Sequence, residues 1–472
     1  MGARAGVRAA ARRGRGRGAP GALGSRRRLA RRAVAGLNPD AVIVGAGVVG
    51  AAIARELTGA GLGVALVEAG ADVGARTSKA NTALLHTGFD AKPGTLEARL
   101  VRRGSKLLEE YAMRVGIPVA RTGALLVAWN AEQLAAFPAI VERARANGYD
   151  EIRELGADEL LAREPHLGPT AQAALEIPGE GIVCPFTTPL AYATEAVLGG
   201  CDLLPNTRVT GIERSAEGFR VETTGGELRA RIVVNAAGLY SDDVDRMLGY
   251  DRFTVRPRRG ELLVFDKLAR PLLNHVVLAV PTVTSKGVLV SPTVFGNILV
   301  GPTAEEVERK DDTSSTAAGL SYLRREAERI VPELVGHDVT AVYVGVRAAT
   351  EHDDYQLHVD GGYVCVGGIR STGLTASLAI AEHVREVLGI ARRPAPPELR
   401  MPNIGELAPR PYEQGGPIVC FCERVTLGEI QAARASAIPP SDLDGLRRRT
   451  RVLMGRCQGF YCGAHVRELL RG

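Results

Sequence analysis

Four of the seven cysteines in this 472-residue chain stand in two short pieces near its end. Cys420 and Cys422 lie in PIVCFCERVT, Cys457 and Cys462 in MGRCQGFYCGAH. Four thiolates brought together from two loops can hold zinc or a [2Fe–2S] cluster. The spacing is C-x-C, 34 intervening residues, then C-x4-C. Structural zinc usually takes C-x2–4-C pairs, for which C-x-C is tight. A second constellation opens the body of the chain. In VIVGAGVVG, Gly45, Gly47 and Gly50 give G-x-G-x-x-G, and Glu68 closes VALVE 18 residues after Gly50. The first glycine permits a sharp turn, the second lets a pyrophosphate approach the backbone, and the third packs helix on strand. The helix start offers N–H groups to phosphate, and a carboxylate at Glu68 can accept from a ribose hydroxyl.

These groups need elements to position them. AVIV and VALV read as buried parallel strands flanking the glycine turn and a helix. After the second strand the chain runs into ARTSKANTALLHTGFDAKPGTLEARL, rich in small and polar residues, where NAD enzymes usually continue into further βα repeats. Two later segments return towards the same site. One is ARIVVNAAGLYSDDV, a strand ending in the small-residue turn Asn235–Gly238. The other is YVCVGGIRSTGLTASLAIAEHV, a strand, a loop and a helix. In that helix Leu374, Leu378, Ala381, Val384 and Leu388 recur at helical spacing, so one face packs inward. Its N-terminus, with Gly373 and Thr375, can present backbone donors to a flavin ring. A long cofactor touched by segments this far apart suggests FAD.

Composition sets the remaining bounds. Hydrophobic residues at 45% and charged ones at 24% are those of a soluble globular protein. No apolar run reaches 18 residues, so no membrane span is expected, which leaves peripheral attachment open. Residues 1–39 hold 11 Arg and no acidic residue, whereas the remainder has 48 basic against 53 acidic residues. The folded body is therefore mildly acidic and offers no nucleic-acid groove. Residues 1–38 read as a low-complexity extension without structure or export signal. Residues 391–417 contain 7 of the 26 prolines and read as a linker before a module at 418–472. Cys184, Cys201 and Cys365 are dispersed and read as small buried hydrophobes.

From about Asp40 to Ile390 the chain resembles the D-amino-acid-oxidase-type superfamily of FAD oxidoreductases. The resemblance runs through TSKANTALLHTGFDAKPGTLEARL, NAAG, RPRRGELLVFD, GVRAATEHDDY and GGIRSTGLTAS, and is nearest to glycerol-3-phosphate dehydrogenase-like and L-2-hydroxyglutarate oxidase-like members. It implies an α/β fold: a Rossmann-like FAD-binding domain interleaved, over residues 39–390, with an α+β antiparallel-sheet substrate domain. It further implies that Gly45, Gly47, Gly50, Glu68, Ser78, Val209, Gly238, Gly368 and Thr375 line FAD; for Val209 and Gly238 ordinary strand packing is an equal reading. The C-terminal segment DGLRRRTRVLMGRCQGFYC resembles the small helical [2Fe–2S] module of bacterioferritin-associated ferredoxin type. That makes Cys420, Cys422, Cys457 and Cys462 the cluster ligands, with zinc, and His465 in place of one thiol, as the other reading.

The implied reaction is oxidation of a small anionic alcohol, glycerol 3-phosphate or similar, with electrons leaving singly through the cluster to a partner protein or quinone-linked subunits. The expected location is the cytoplasm, with attachment at the inner membrane face left open. Such a reaction needs a base and a cation. His86 in LLHTG, with an ordinary pKa of about 6.5, suits a general base; the alternative is a histidine satisfied by backbone contacts. Arg347 in GVRAAT can grip carboxylate or phosphate with its guanidinium fork. Arg256, Arg258 and Arg259 alternate along a strand, so at most one face reaches the pocket and the others should be solvated. GGIRSTGLTAS departs from the glycerol-3-phosphate branch and is more like the hydroxyglutarate branch, so a 2-hydroxy-acid oxidase stays open. So does an electron carrier or redox sensor with no substrate of its own.

Overall fold

The short apolar runs AVIV and VALV form strands buried on both faces, β1 (Ala41–Val44) and β2 (Val64–Val67), joined through α1 (Val48–Gly59). They belong to a computed structural model that describes residue 34 and residues 36–281, 287–392, 397–406 and 415–471. Gly45 turns at φ +101°, and a side chain there would lie 2.6 Å from the Ala236 carbonyl oxygen. One at Gly50 would lie 1.8 Å from the Gly45 oxygen. These two glycines let α1 settle onto the strands.

Further along come α2 (Leu96–Val115), β3 (Asp202–Leu204), β4 (Ile232–Asn235), β5 (Val255–Phe265), β6 (Val339–Thr350), β7 (Gln356–Asp360), β8 (Tyr363–Gly367) and α3 (Gly373–Val387). The first sheet has the order β7-β8-β4-β1-β2-β3 and is parallel except for β7 against β8. Residues of α1, α2, α3 and the helix Thr187–Leu198 share one hydrophobic cluster with this sheet. Leu374, Leu378, Ala381 and Val384 of α3 are buried as their spacing predicts, while Leu388, just past the helix, is half-buried. Gly104 brings α2 against α3 so closely that a side chain would sit 2.4 Å from the Thr375 carbonyl oxygen.

A second sheet has nine strands among the described residues. Its long pair, β5 and β6, is antiparallel from Val255 opposite Thr350 to Phe265 opposite Val339. Val276–Ala279 runs parallel to Ala124–Ala128; the other pairings are antiparallel. This is the expected interleaving of a Rossmann-like half with an antiparallel-sheet half.

Near the end, α4 (Leu427–Arg434), α5 (Leu443–Thr450) and α6 (Gly463–Arg471) surround a small core that includes Val425, Ile430, Leu446, Val452 and Val466. A capping box of Thr426 and Glu429 starts α4. Set off in the sequence behind a Pro-rich stretch, the module nevertheless packs against the flavin body. Asp72, buried in the body, accepts from Arg448 Nη2 at 2.5 Å and from Arg449 Nη1 and Nη2 at 2.6 and 2.8 Å, both arginines of α5 being buried too. Ser441 Oγ donates to the Ala71 carbonyl at 3.0 Å, and Lys79 pairs with Asp444 at 2.7 Å. Burying charges on both sides demands that they meet, so the module docks.

The linker reading changes likewise. Residues 393–396 and 407–414 lie outside the described residues. Between them, Met401 and Ile404 are buried in the main core, and the Met401 N–H donates to the Val115 carbonyl at 2.7 Å. Of the extension at 1–38, residues 1–33 and 35 also lie outside the described residues. Val34, however, is buried in the cluster that contains Val42 and Val44, and its carbonyl accepts from the Leu37 N–H at 3.2 Å. Among the described residues, packing thus reaches back to Val34, ahead of β1. Among the described residues no helix is long and apolar enough to cross a membrane.

Candidate active site and thiol cluster

Where the two sheets approach, a cleft of about 400 Å³ runs from Gly47 and Ser78 at the start of α1 to Arg258 and Arg347 on β5 and β6. His86, Gly238, Gly373 and Leu374 also line it. One wall is the loop Thr77–Ala83, pinned on three sides. Thr77 Oγ1 donates to the Val346 carbonyl at 2.9 Å, Tyr343 OH to the Asn81 carbonyl at 2.7 Å, and Ser78 Oγ accepts from the Val48 N–H at 2.9 Å. Gly345 permits this contact, since a side chain there would lie 2.0 Å from the Ala80 carbonyl oxygen.

His86 follows the short strand Leu84–Leu85, which pairs with Gly181–Val183, Leu85 standing opposite Gly181. That register brings Glu180 beside His86. The Glu180 carboxylate is 1% exposed, and its Oε2 lies 3.2 Å from His86 Nδ1. Its Oε1 accepts from the Thr87 N–H at 2.7 Å and the Thr87 hydroxyl at 2.9 Å. Sequence reasoning missed Glu180. Its only local sign is a carboxylate between apolar runs in EIPGEGIV. A carboxylate on Nδ1 fixes the neutral ring with its basic lone pair on Nε2.

Arg347 and Arg258 stand directly opposite each other in the β5–β6 register, and both line the cleft. Arg347 Nη2 donates to the Thr303 carbonyl at 3.2 Å. Burial, and then the neighbouring charge of Arg258, pushes the Arg347 guanidinium down to about 10. Like charges opposite each other cost stability, so two such groups turned to one cleft suit an anion. The expectation for the neighbours holds only in part. Arg256 is exposed, but Arg259 is buried, pairing with Glu305 at 2.6 Å and Asp312 at 3.0 Å.

The residues expected to line FAD divide. Gly47, Ser78 and Gly238 line the cleft, while Gly45 and Gly50 shape the turn beneath it. Glu68 follows β2, with Oε2 accepting from the Ala46 N–H at 2.8 Å and Oε1 from the Gly70 N–H at 2.6 Å. Val209 is packed in a hydrophobic cluster, and Gly368, at φ +63°, packs against Gln356; neither lines the cleft. Thr375 is fully buried. Its Oγ1 accepts the His86 N–H at 3.0 Å and donates to the Leu84 carbonyl at 3.2 Å, so its side chain holds His86. The glycine turn, the α1 start facing the cleft and the fixed carboxylate at Glu68 fit a dinucleotide cofactor.

In the module, all four thiols are unbridged. Among the described residues no three His, Cys, Asp or Glu side chains converge on a single-ion site. The four thiols lie near one another, Cys422 beside Cys457 and Cys420 beside Cys462. Four cysteine sulfurs drawn together from two loops suit a [2Fe–2S] cluster. The N–H groups of Tyr461, Gly459 and Phe460 hold the Cys457 thiol below its ordinary range, whereas burial pushes Cys462 up to about 12. His465, the other zinc ligand considered, is exposed on α6.

The chain belongs to the FAD dependent oxidoreductase family, whose model matches residues 40–387, and a BFD-like [2Fe–2S] binding domain matches residues 418–471. Its cofactors are FAD and a [2Fe–2S] cluster. It is 35% identical over 448 residues to a glycerol 3-phosphate dehydrogenase of Caloramator mitchellensis, covering 91% of this chain and 93% of that one. It is 28% identical to a subunit of the anaerobic glycerol-3-phosphate dehydrogenase of Escherichia coli, over 92% of this chain and 88% of that one. Among solved structures, the L-alpha-glycerophosphate oxidase of Mycoplasma pneumoniae, with FAD bound, matches at TM-score 0.74 and 32% identity, over 78% of this chain and all of that one.

Proposed function

We propose that the chain oxidises glycerol 3-phosphate at the secondary hydroxyl and hands the electrons to a protein acceptor through the thiol module. The observation that carries this is the opposed pair Arg258 and Arg347 sharing one cleft with a histidine oriented by a buried carboxylate. Two guanidinium forks match the oxygens of one phosphate dianion. They anchor the substrate, and His86 Nε2 takes the proton of the hydroxyl beside the C–H that is oxidised. Glu180, held by Thr87, then stands against the imidazolium that results. FAD, when bound, supplies the two-electron acceptor for that C–H. The names of the Caloramator and Escherichia coli relatives support the substrate. The second relative is one subunit of an enzyme, which supports an assembly with acceptor proteins.

Anaerobic titration of the purified holoprotein tests this. Glycerol 3-phosphate should bleach the flavin and L-2-hydroxyglutarate should not. Bleaching by L-2-hydroxyglutarate alone would make the protein a 2-hydroxy-acid oxidase, and bleaching by neither would make it an electron carrier.

A further inference from the structure

Phe421, Phe460 and Tyr461 are 75%, 85% and 80% exposed, more than any other large hydrophobic side chain among the described residues. All three lie within the ligand loops. Phe421 separates Cys420 from Cys422, and Phe460–Tyr461 immediately precede Cys462. The Phe460 and Tyr461 rings meet edge to face with centroids 5.3 Å apart, which gives the patch a fixed relief. The flavin body grips the module through Asp72, Lys79 and the Ala71 carbonyl, and through Asp266 and Lys267 beside the ligand loops, yet leaves these rings in solvent. Exposed apolar surface of this kind marks interaction sites, with aromatic anchors at the centre and polar groups around them.

The exposed charge beside the patch is mostly basic, since Glu423, which adjoins Cys422, is buried and paired with Lys267 and Arg451. Arg456, next to Cys457, and Arg424, two residues after Cys422, remain more than half exposed although each pairs with a carboxylate of the preceding chain, Asp266 and Glu406. From residue 418 onward four arginines, Arg424, Arg456, Arg467 and Arg471, are exposed, against two carboxylates, Asp442 and Glu468. An aromatic centre with a basic surround complements a face that is apolar at its centre and acidic at its rim.

We infer that this aromatic face is the docking surface for a one-electron acceptor protein whose exposed redox group is ringed by carboxylates. The inference rests on the electron-transfer part of the function proposed above. A reduced flavin yields two electrons and the cluster passes one at a time, so each turnover needs two encounters, each reducing one acceptor molecule by one electron. A small interface that releases quickly suits that traffic. Aromatic rings beside arginines also suit a lipid surface. Here, though, the rings surround the cluster ligands, where a close approach serves electron transfer and a membrane contact would serve nothing.

The test uses the holoprotein and cytochrome b5, a small haem protein with an acidic rim; cytochrome c, rimmed by lysines, is the charge control. Complex formation is read by sedimentation. The unaltered holoprotein should bind cytochrome b5 more tightly than cytochrome c, and the complex should weaken from about 50 to about 200 mM salt. Phe460→Ser and Tyr461→Ser should each weaken it about tenfold or more, with the cluster's electron paramagnetic resonance spectrum kept. If either serine alters that spectrum, the salt response and the order of the two cytochromes on unaltered protein decide. Equal binding of both cytochromes, or unchanged binding by variants with intact clusters, overturns the inference. It is also overturned if the substitutions instead abolish binding to phosphatidylserine vesicles, or dissociate a dimer of this chain. None of these readouts involves the alcohol, so a failure of glycerol 3-phosphate to bleach the flavin leaves their meaning intact.

Discussion

In the cleft, His86, Glu180, Arg258 and Arg347 come from segments spread over more than 260 residues, whereas the four thiols lie within 43 residues of one another. The thiol site is made by two loops of a small local fold. The cleft exists only once β5 has paired with β6 and Leu84–Leu85 with Gly181–Val183. Their electrostatics differ too. The cleft holds two cations side by side, while the module's contact with the body buries opposite charges together. A local site is fixed by spacing, and a dispersed one by register.

The sharpest break between the two regions should come from Cys457→Ser. Iron and sulfide should be lost entirely while FAD remains, because the residues lining the cleft belong to the body. Metal analysis beside the flavin absorbance reads both; flavin lost together with iron would mean that the regions fold as one.

Next in size is Asp72→Ala. It would leave Arg448 and Arg449 buried without their carboxylate, at a cost of about 3–5 kcal/mol, visible as a lower thermal midpoint. An unchanged midpoint would mean the module is only loosely apposed.

Glu180→Gln should slow flavin reduction about tenfold or more, on the scale of a lost hydrogen bond to a charged group, with the substrate KM held. A change in KM alone would reduce Glu180 to packing. The smallest effect is one of pH. Arg347 is pushed down to about 10, so anion binding should weaken as pH rises through that value, where an ordinary arginine keeps its charge. The sign for the fold is opposite. Burial disfavours the charged form, so this guanidinium costs stability below about 10, and deprotonation relieves that cost. A substrate KM flat across that range would remove Arg347 from the anion site.

Much of this was legible in the sequence, and the limits follow from the same contrast. Gly45, Gly47 and Gly50 stand within one strand–turn–helix unit, so spacing reveals them, although Gly45 and Gly47 approach Ala236 and Ser78 outside it. The cysteine pairs were equally plain. Glu180 was not, because it meets His86 only through a strand pairing that spans 94 residues. Arg259 looked solvated because its partners Glu305 and Asp312 lie 46 and 53 residues further on. The hydroxyl of Thr375 meets the His86 backbone across 289 residues, a contact with no local sign. The docking of α5 on Asp72 spans more than 370 residues, and no local pattern announces it.

The central claim is that His86 takes the proton and Arg347 holds the anion. Single-turnover flavin reduction by glycerol 3-phosphate, followed by stopped flow across substrate concentration in His86→Ala and Arg347→Ala, tests it most directly. With FAD bound in both, the limiting rate should fall about 10²–10⁴-fold in His86→Ala, with substrate affinity little changed. In Arg347→Ala, affinity should weaken by about 1.5–3 kcal/mol, with the limiting rate largely kept. A His86→Ala protein that bleaches its flavin at the wild-type rate would contradict the account.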